Sequence, residues 1–562
     1  MKKVLIPFLL LFSVITHGQA PLSYNNPILS GFYPDPSICR VGNDYYIVTS
    51  TFAYFPGLPI FHSTDLVNWQ QIGSAMDRKE QLDQTNAGVS RGLFAPSITY
   101  HNGTYYIICT LIDKGGNFII TAKDPKGPWS NPIWLKEANG IDPSLFIDAS
   151  GKAYIVFNSI PPDNKSLYNG HRTIRIVDFD INTMKVTSEP RILVNGGVDI
   201  SKNPVWIEAP HIFKKGDWYY LICAEGGTGY NHSEVVFRSK AADGPFVPYE
   251  KNPILTQRHL DKSRPNPITT TGHAEFVETP DGKWYAVFLG CRPYEGDFYN
   301  TGRDTYMAPV QWKDEWPMIL EGNEEVKYSY PVPMPQSTKA VANNFNGNLY
   351  FKDDFKATEI NKRYLFLRNP EKDFYSLTED KGSLTMKLLR QNVSGKESPG
   401  FIGLRQANLN GYAATEMDFT PFTRNEKAGL LIFQNENHYY FLCKSIENDK
   451  PVVQLYQSAA KIGDPDILMT SQKLDSKKTI YLKIVAKADK YDFYFAEKKD
   501  KWNILQENVD GKFLSTSKAG GFVGSLFALY GSSYGKPTNV TAKYDWFEYK
   551  GDDPVYKSQT AN

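Results

Sequence analysis

Through the first 320 residues the chain repeats one figure of apolar and polar positions. A short polar step is followed by an apolar strand, a Gly-bearing turn and a second strand rich in Tyr, Ile and Val. Five segments carry it: DPSICRVGNDYYIVTS from Asp35, APSITYHNGTYYIICT from Ala95, DPSLFIDASGKAYIVF from Asp142, APHIFKKGDWYYLICA from Ala209 and HAEFVETPDGKWYAVF from His273. Each predicts a β-hairpin whose turn holds Gly42, Gly103, Gly151, Gly216 or Gly282, with more strands before the next unit. Five units of this kind predict a five-bladed β-propeller. A sandwich array or a parallel β-helix fits less well, because its period is shorter or lacks the repeated hairpin. From about Phe351 a different series begins, with SLTMKL, ATEMDF, AGLLIFQ, HYYFLCKS, VVQLYQS, TIYLKIVAK, YDFYFAE and WFEYKG. These strands, without helix signals between them, predict an antiparallel β-sandwich. The predicted organisation is an all-β chain with a propeller over 21–325, a polar linker over 326–347 containing PVPMPQ, and a sandwich over 348–562.

Composition and the N-terminal run sharpen this picture in four places. Aromatic residues make up 14% of the chain, with 35 Tyr, 33 Phe and 10 Trp. Such side chains fill β cores and also stack on sugar rings. The formal net charge is +1 with no basic stripe, which argues against a nucleic-acid partner, since phosphate binding needs clustered Lys and Arg. Lys2-Lys3, the apolar run from Val4 to Ile15 and Gly18-Gln19-Ala20 read as a secretory signal peptide over residues 1–20, so export without membrane insertion is expected. The five cysteines are scattered, and Cys109 and Cys223 sit inside apolar strands. Free thiols are therefore expected rather than bridges or a metal site.

The repeat also places chemistry. In a propeller the first strand of every blade lines the central channel, so Asp35, Ala95, Asp142, Ala209 and His273 should face one axis, with Glu208 beside Ala209. A single Asp-Pro step is most simply a strand-entry turn. Three acids in register across a repeat point instead to one shared cavity. Paired carboxylates with separated pKa values are the tools of glycosidic cleavage. Asp35 suits the general base. Glu208, flanked by Trp206, Ile207 and Ala209, suits the general acid, because desolvation favours its protonated form. Asp142 would lie near Glu208, its negative charge keeping the acid protonated and its hydrogen bonding holding the acid's rotamer, and His273 would orient a carboxylate or touch the sugar. A metal reading of the same cavity is weaker, since calcium takes about six to eight oxygens, and no cofactor is expected.

Seven motifs then carry a resemblance: GFYPDPSICRVGNDYYIVTST, FPGLPIFHSTDLVNW, FAPSITYHNGTYYII, GIDPSLFID, WIEAPHIFKKGDWYYL, TGHAEFVETPDGKWYAVFLG and TGRDTYMAPVQWKDEWP. In this order, over about residues 25–320, the chain resembles glycoside hydrolase family 43, five-bladed propeller enzymes that include β-xylosidases and α-L-arabinofuranosidases. The resemblance implies inversion, with Asp35 as base, Asp142 as pKa modulator and Glu208 as acid. It maps the family's central His onto His273 and its substrate-binding Arg onto Arg303. Phe94 departs from the family, whose members often carry Trp there; Phe52 and Trp206 are further candidate stacking residues. DDF at 353–355, LRNP at 367–370 and GLRQ at 403–406 make the second half similar to the concanavalin A-like C-terminal domain of such enzymes. Such a sandwich is expected either to bind sugar as a separate module or to form a wall that closes the catalytic pocket, and the likeness implies that Phe522, in GGFVGSLFALYG, reaches toward the active site.

The expected function is exo-acting release of terminal α-L-arabinofuranosyl units from plant hemicellulose oligosaccharides, with β-D-xylosyl release as a second activity. A β-D-xylosidase proper and a non-catalytic glycan-binding protein remain the alternatives. An endo-arabinanase fits less well, because it favours an open groove without a second domain.

Overall fold

The computed structural model describes residues 22–334, 345–475 and 478–557. The leader expected over residues 1–20 and the core of the polar run at 335–344 lie outside the described residues.

The five predicted hairpins are the inner halves of five antiparallel blades. Their first strands are Ser37–Val41, Leu93–His101, Ile141–Ile147, Glu208–Lys215 and Thr269–Glu278. Each pairs with a second strand through the turn whose glycine the sequence marked, and Gly42, Gly103, Gly151, Gly216 and Gly282 all adopt positive φ. Third and fourth strands complete every blade outward, as in the run from Ser37–Val41 through Asp44–Val48 and Gly57–Ser63 to Gln70–Met76.

Side chains at the axis stitch neighbouring blades into a ring. Ile98 N–H donates to Ser37 Oγ at 2.9 Å, Thr99 Oγ1 to the Leu145 carbonyl at 3.0 Å, and Ser144 Oγ to the Pro210 carbonyl at 2.5 Å. His211 Nδ1 lies 3.2 Å from Glu275 Oε1, and Glu275 Oε2 accepts from Ile38 N–H at 2.7 Å. Every blade boundary is thus bridged, from the first blade round to the fifth. The strand pairs Ser23–Asn25 with Ser329–Pro331 add closure from outside. This second pairing falls within the run read as a linker, where Val326 and Phe345 are also buried.

The second half folds as two antiparallel sheets of eight and six strands. The strand Thr479–Lys487 alternates as a one-faced strand should, burying Ile480, Leu482, Ile484 and Ala486 while Tyr481, Lys483 and Val485 are half-exposed. The strand Lys427–Asn435 instead buries Ala428 through Gln434 without a break. Leu430 and Ile432 join the core between the two sheets. Leu431 and Phe433 join a cluster with Phe52 and Tyr54 of the propeller. The six-stranded sheet is therefore covered on both faces, by its partner sheet and by the propeller. A two-stranded pairing of Tyr54–Phe55 with Phe366–Leu367 crosses the same boundary.

All five cysteines are free, with Cys109, Cys223, Cys291 and Cys443 buried and Cys39 half-buried. Among the described residues, no helix is long and apolar enough to cross a membrane.

Candidate active site

One backbone feature recurs at the channel mouth. Asp35, Ala95, Asp142, Ala209 and His273 all adopt left-handed φ, at 54°, 32°, 52°, 51° and 57°. In four blades the pairing register slips here, between Phe94 and Ser97, Ile141 and Ser144, Glu208 and His211, and Gly272 and Glu275. A bulge adds a residue to one strand and re-aims its side chains. The left-handed conformation is unfavourable for residues with a Cβ, by roughly 1 kcal/mol or more each. Repeating it at every blade turns equivalent side chains toward one cavity.

That cavity encloses 480 Å³ and is lined by Asp35, Asp142, Glu208, His273 and Arg303, as the repeat and the resemblance required. Phe52, Phe94, Trp206 and Phe522 line it too. Every candidate site residue named from the sequence therefore meets at one place. Asp35, Asp142 and Glu208 are 5%, 7% and 7% exposed, so their charges are shielded from bulk water.

Their surroundings differ. Arg303 Nη1 donates to Asp35 Oδ1 at 2.8 Å, and Ser50 Oγ donates to Oδ2 at 2.6 Å. Burial works to raise the Asp35 carboxyl, but Arg303, then His273 and Ser50, outweigh it and hold it below the usual carboxylate value. Asp35 is therefore ionised. His273 Nδ1 lies 3.7 Å from the same oxygen. Burial pushes His273 down to about 4, so at neutral pH it is an uncharged neighbour of the carboxylate rather than an ion-pair partner.

Glu208 is pushed the other way. Burial, followed by the negative charge of Asp35, raises it to about 7, against the opposing pull of Arg303, Thr228 and Arg172. Asp142 is raised well above its ordinary value by burial, then by Glu208 and Asp35. Two buried carboxyls that repel each other do not both ionise near neutrality, so the pair titrates as a unit and retains a proton. Asp142 thus does not carry the standing negative charge expected of it but shares protonation with Glu208. Ala209 N–H, from the residue after Glu208, donates to Asp142 Oδ2 at 3.3 Å. Asp142 is thereby tied to the backbone that carries the acid.

The arrangement can hold an ionised base and a protonated acid against one bound sugar, and apolar walls surround them. Phe522 comes from the sandwich. Its ring stacks on Phe52 at 5.8 Å between centroids, with Phe94 edge-on at 5.7 Å. The loop beneath it is pressed against the propeller. A Cβ on Gly521 would fall 2.2 Å from Ser90 Oγ, and one on Gly524 would fall 2.4 Å from the Thr301 carbonyl oxygen. Elsewhere in the lining the Arg172 guanidinium covers the Trp206 ring at 3.9 Å. Among the described residues, no group of three or more His, Cys, Asp or Glu side chains is arranged to hold a metal ion.

Ser50, Arg172, Thr228 and His232 escaped the sequence reading. Ser50 closes the first repeat motif and could have been found there. The other three lie outside the repeat register, on loops, and no motif marks them.

Comparison with known proteins agrees with this geometry. Residues 24–317 match the family described as glycosyl hydrolases family 43, and residues 352–550 match the beta xylosidase C-terminal concanavalin A-like domain. The chain is 37% identical over 536 residues to a xylosidase/arabinosidase from Butyrivibrio fibrisolvens, covering 93% of this chain and 98% of that protein. It is 36% identical over 542 residues to a non-reducing end α-L-arabinofuranosidase from Bacteroides ovatus, covering 94% and 95%. A crystal structure of a GH43_12 protein from a capybara gut metagenome superposes with a TM-score of 0.85 at 39% identity, covering 92% of this chain and 96% of that one.

Proposed function

The chain belongs to glycosyl hydrolase family 43, and from that premise we propose that it removes terminal α-L-arabinofuranosyl units from hemicellulose oligosaccharides with inversion. It is a glycosidase. The observation that carries this reading is one pocket lined by Asp35, whose carboxyl Arg303 holds below the usual carboxylate value, and by Glu208, which burial raises to about 7, with Phe522 of the second domain forming one wall. Such a pocket receives a chain end and excludes a through-running polymer.

In the proposed reaction Asp35 accepts a proton from water as that water attacks the anomeric carbon. Glu208 gives its proton to the departing glycosidic oxygen, which takes the bonding electron pair. Arg303 holds Asp35 ionised and offers further N–H donors to the sugar. Asp142 stabilises the protonated pair. Two features support arabinofuranose: the activity named for the Bacteroides relative and Phe94, which offers a stacking face without an indole donor. The double name of the Butyrivibrio relative supports β-D-xylosyl release as the second activity. The leader-like residues 1–20 support action outside the cytoplasm, in the periplasm or beyond it.

The test compares release of nitrophenol from aryl α-L-arabinofuranoside and aryl β-D-xyloside by the purified protein, with NMR of the sugar as it forms. Faster turnover of the arabinofuranoside and initial appearance of the inverted anomer are expected. A retained anomer would overturn inversion, and turnover of the xyloside alone would overturn the arabinofuranosidase reading.

A further inference from the structure

Behind Glu208 lies a histidine that the chemistry above does not use. His232 is fully buried, on the loop just before the strand Ser233–Ser239 of the fourth blade. Its Nδ1 is 3.2 Å from the Thr270 carbonyl oxygen. A carbonyl only accepts, so Nδ1 carries the hydrogen, and a neutral ring then leaves Nε2 with a bare lone pair. That Nε2 has no hydrogen-bond partner. It faces Glu208 Oε1 at 3.8 Å. Catalytic contacts are often this long before substrate binds and tighten in the complex.

The ring occupies room left by a missing side chain. A Cβ on Gly272 would fall 2.9 Å from both His232 Nδ1 and Cε1. Gly272 immediately precedes His273, so the TGHAEF motif makes room for one histidine while presenting another.

We propose that His232 is a positioning residue for the acid: its Nε2 lone pair selects the protonated form of Glu208 by accepting a hydrogen bond from that carboxyl. This inference rests on the reading of Glu208 as the acid. An acceptor aimed at a carboxyl attracts it when protonated and repels it when ionised, so it holds the proton until the leaving oxygen takes it. The role requires His232 to stay neutral. Burial, followed by the nearby His273, pushes it down to about 3. The other titratable and charged groups facing the pair are Asp35, Asp142, Arg172, Arg303 and Glu234. Buried Glu234 is raised well above its ordinary value by burial, so it presents no full negative charge that would draw a proton onto His232. Thr228 Oγ1, 3.3 Å from Glu208 Oε1, donates to the carboxyl and so works in the opposite sense.

The experiment uses the full chain and an arabinosyl or xylosyl oligosaccharide, whose sugar leaving group needs the acid. His232→Asn keeps an N–H near the Thr270 carbonyl and drops the acceptor; His232→Gln returns an amide oxygen near the Nε2 position. The basic limb of the kcat/KM profile should move down by about one pH unit in His232→Asn, with about a tenfold loss of kcat above neutrality. It should stay near its original position in His232→Gln. A basic limb that does not move in a folded His232→Asn protein overturns the proposal. Should that variant fail to fold, histidine-selective ¹⁵N NMR of the unmodified enzyme decides. The Nδ1–H tautomer of His232 across pH 5 to 8 is expected (a window set by roughly the ordinary histidine range), and an Nε2–H tautomer or an imidazolium overturns it. Glu208→Gln separates the two ideas. If it keeps full activity on the oligosaccharide, the acid assignment falls; if it is inactive while the His232→Asn profile is unmoved, only the role of His232 falls.

Discussion

The ring of Phe522, from the sandwich, stacks on that of Phe52, from the first propeller blade, with 17° between their planes. The Arg303 guanidinium lies 5.9 Å from the first-blade ring and 5.7 Å from the sandwich ring, and its Nη2 reaches the Phe522 carbonyl oxygen at 3.5 Å. The group that holds Asp35 ionised is thus itself set by both domains. Phe522→Ala should raise KM about tenfold, the scale of one lost aromatic contact, with a smaller fall in kcat. Initial rates on an aryl arabinofuranoside measure it, and a KM within twofold of the parent would remove Phe522 from the pocket wall.

Asp35→Asn and Glu208→Gln should differ in how they respond to the leaving group. The first removes the group that activates water, so rates on every substrate should fall by about a thousandfold or more. The second removes only the proton donor. A dinitrophenyl glycoside, whose phenolate leaves unaided, should lose far less than an oligosaccharide in Glu208→Gln. Parallel losses on both substrates would contradict the assignment of roles.

The repeat made the acids legible because one backbone figure recurs and its first position is chemically odd in three blades. Asp35 and Asp142 stand at that position, and Glu208 precedes it by one residue. Arg172, Thr228 and His232 were not legible, since they lie on loops outside the repeat, where nothing in the hydrophobic pattern distinguishes a channel wall from a core. The shared core of the two domains was hidden for a related reason. An unbroken apolar run such as AGLLIFQ says that both faces of a strand are covered, without saying by what. The polar, Pro-rich stretch after residue 325 has the composition of a connector, yet Ser329–Pro331 pairs with Ser23–Asn25. Three residues of strand carry too short a pattern to stand out among prolines.

The rate profile should be bell-shaped. Asp35 must be ionised and sits below the ordinary carboxylate value, so the acidic limb should appear at unusually low pH. Glu208 must be protonated, so activity should fall as pH rises through about 7. Asp142→Asn removes one carboxyl from the coupled pair, leaving burial and Asp35 alone to keep the proton on the acid. The basic limb should therefore move to lower pH, by about one unit. A limb that stays put or moves upward would show that Asp142 does not set the state of the acid.

Arg368 tests whether the two domains are one cooperative structure. It is fully buried, donating from Nε to the Ala87 carbonyl at 2.5 Å and from Nη1 to the Glu397 carbonyl at 2.7 Å. It also pairs with Glu436, whose Oε1 accepts from Val89 N–H of the propeller at 2.9 Å. Replacing both ions with a well-packed apolar pair could be neutral, but removing one leaves the other charged and dry. Arg368→Ala should therefore destabilise the protein by about 3–5 kcal/mol. Because the linked segments carry Phe52 on one side and the six-stranded sheet on the other, propeller and sandwich should unfold in one transition at a lower temperature. Calorimetry of the variant would reveal it. Two separated transitions, or an unchanged midpoint, would mean that the shared core does not couple the domains and that Phe522 is held by its own loop alone.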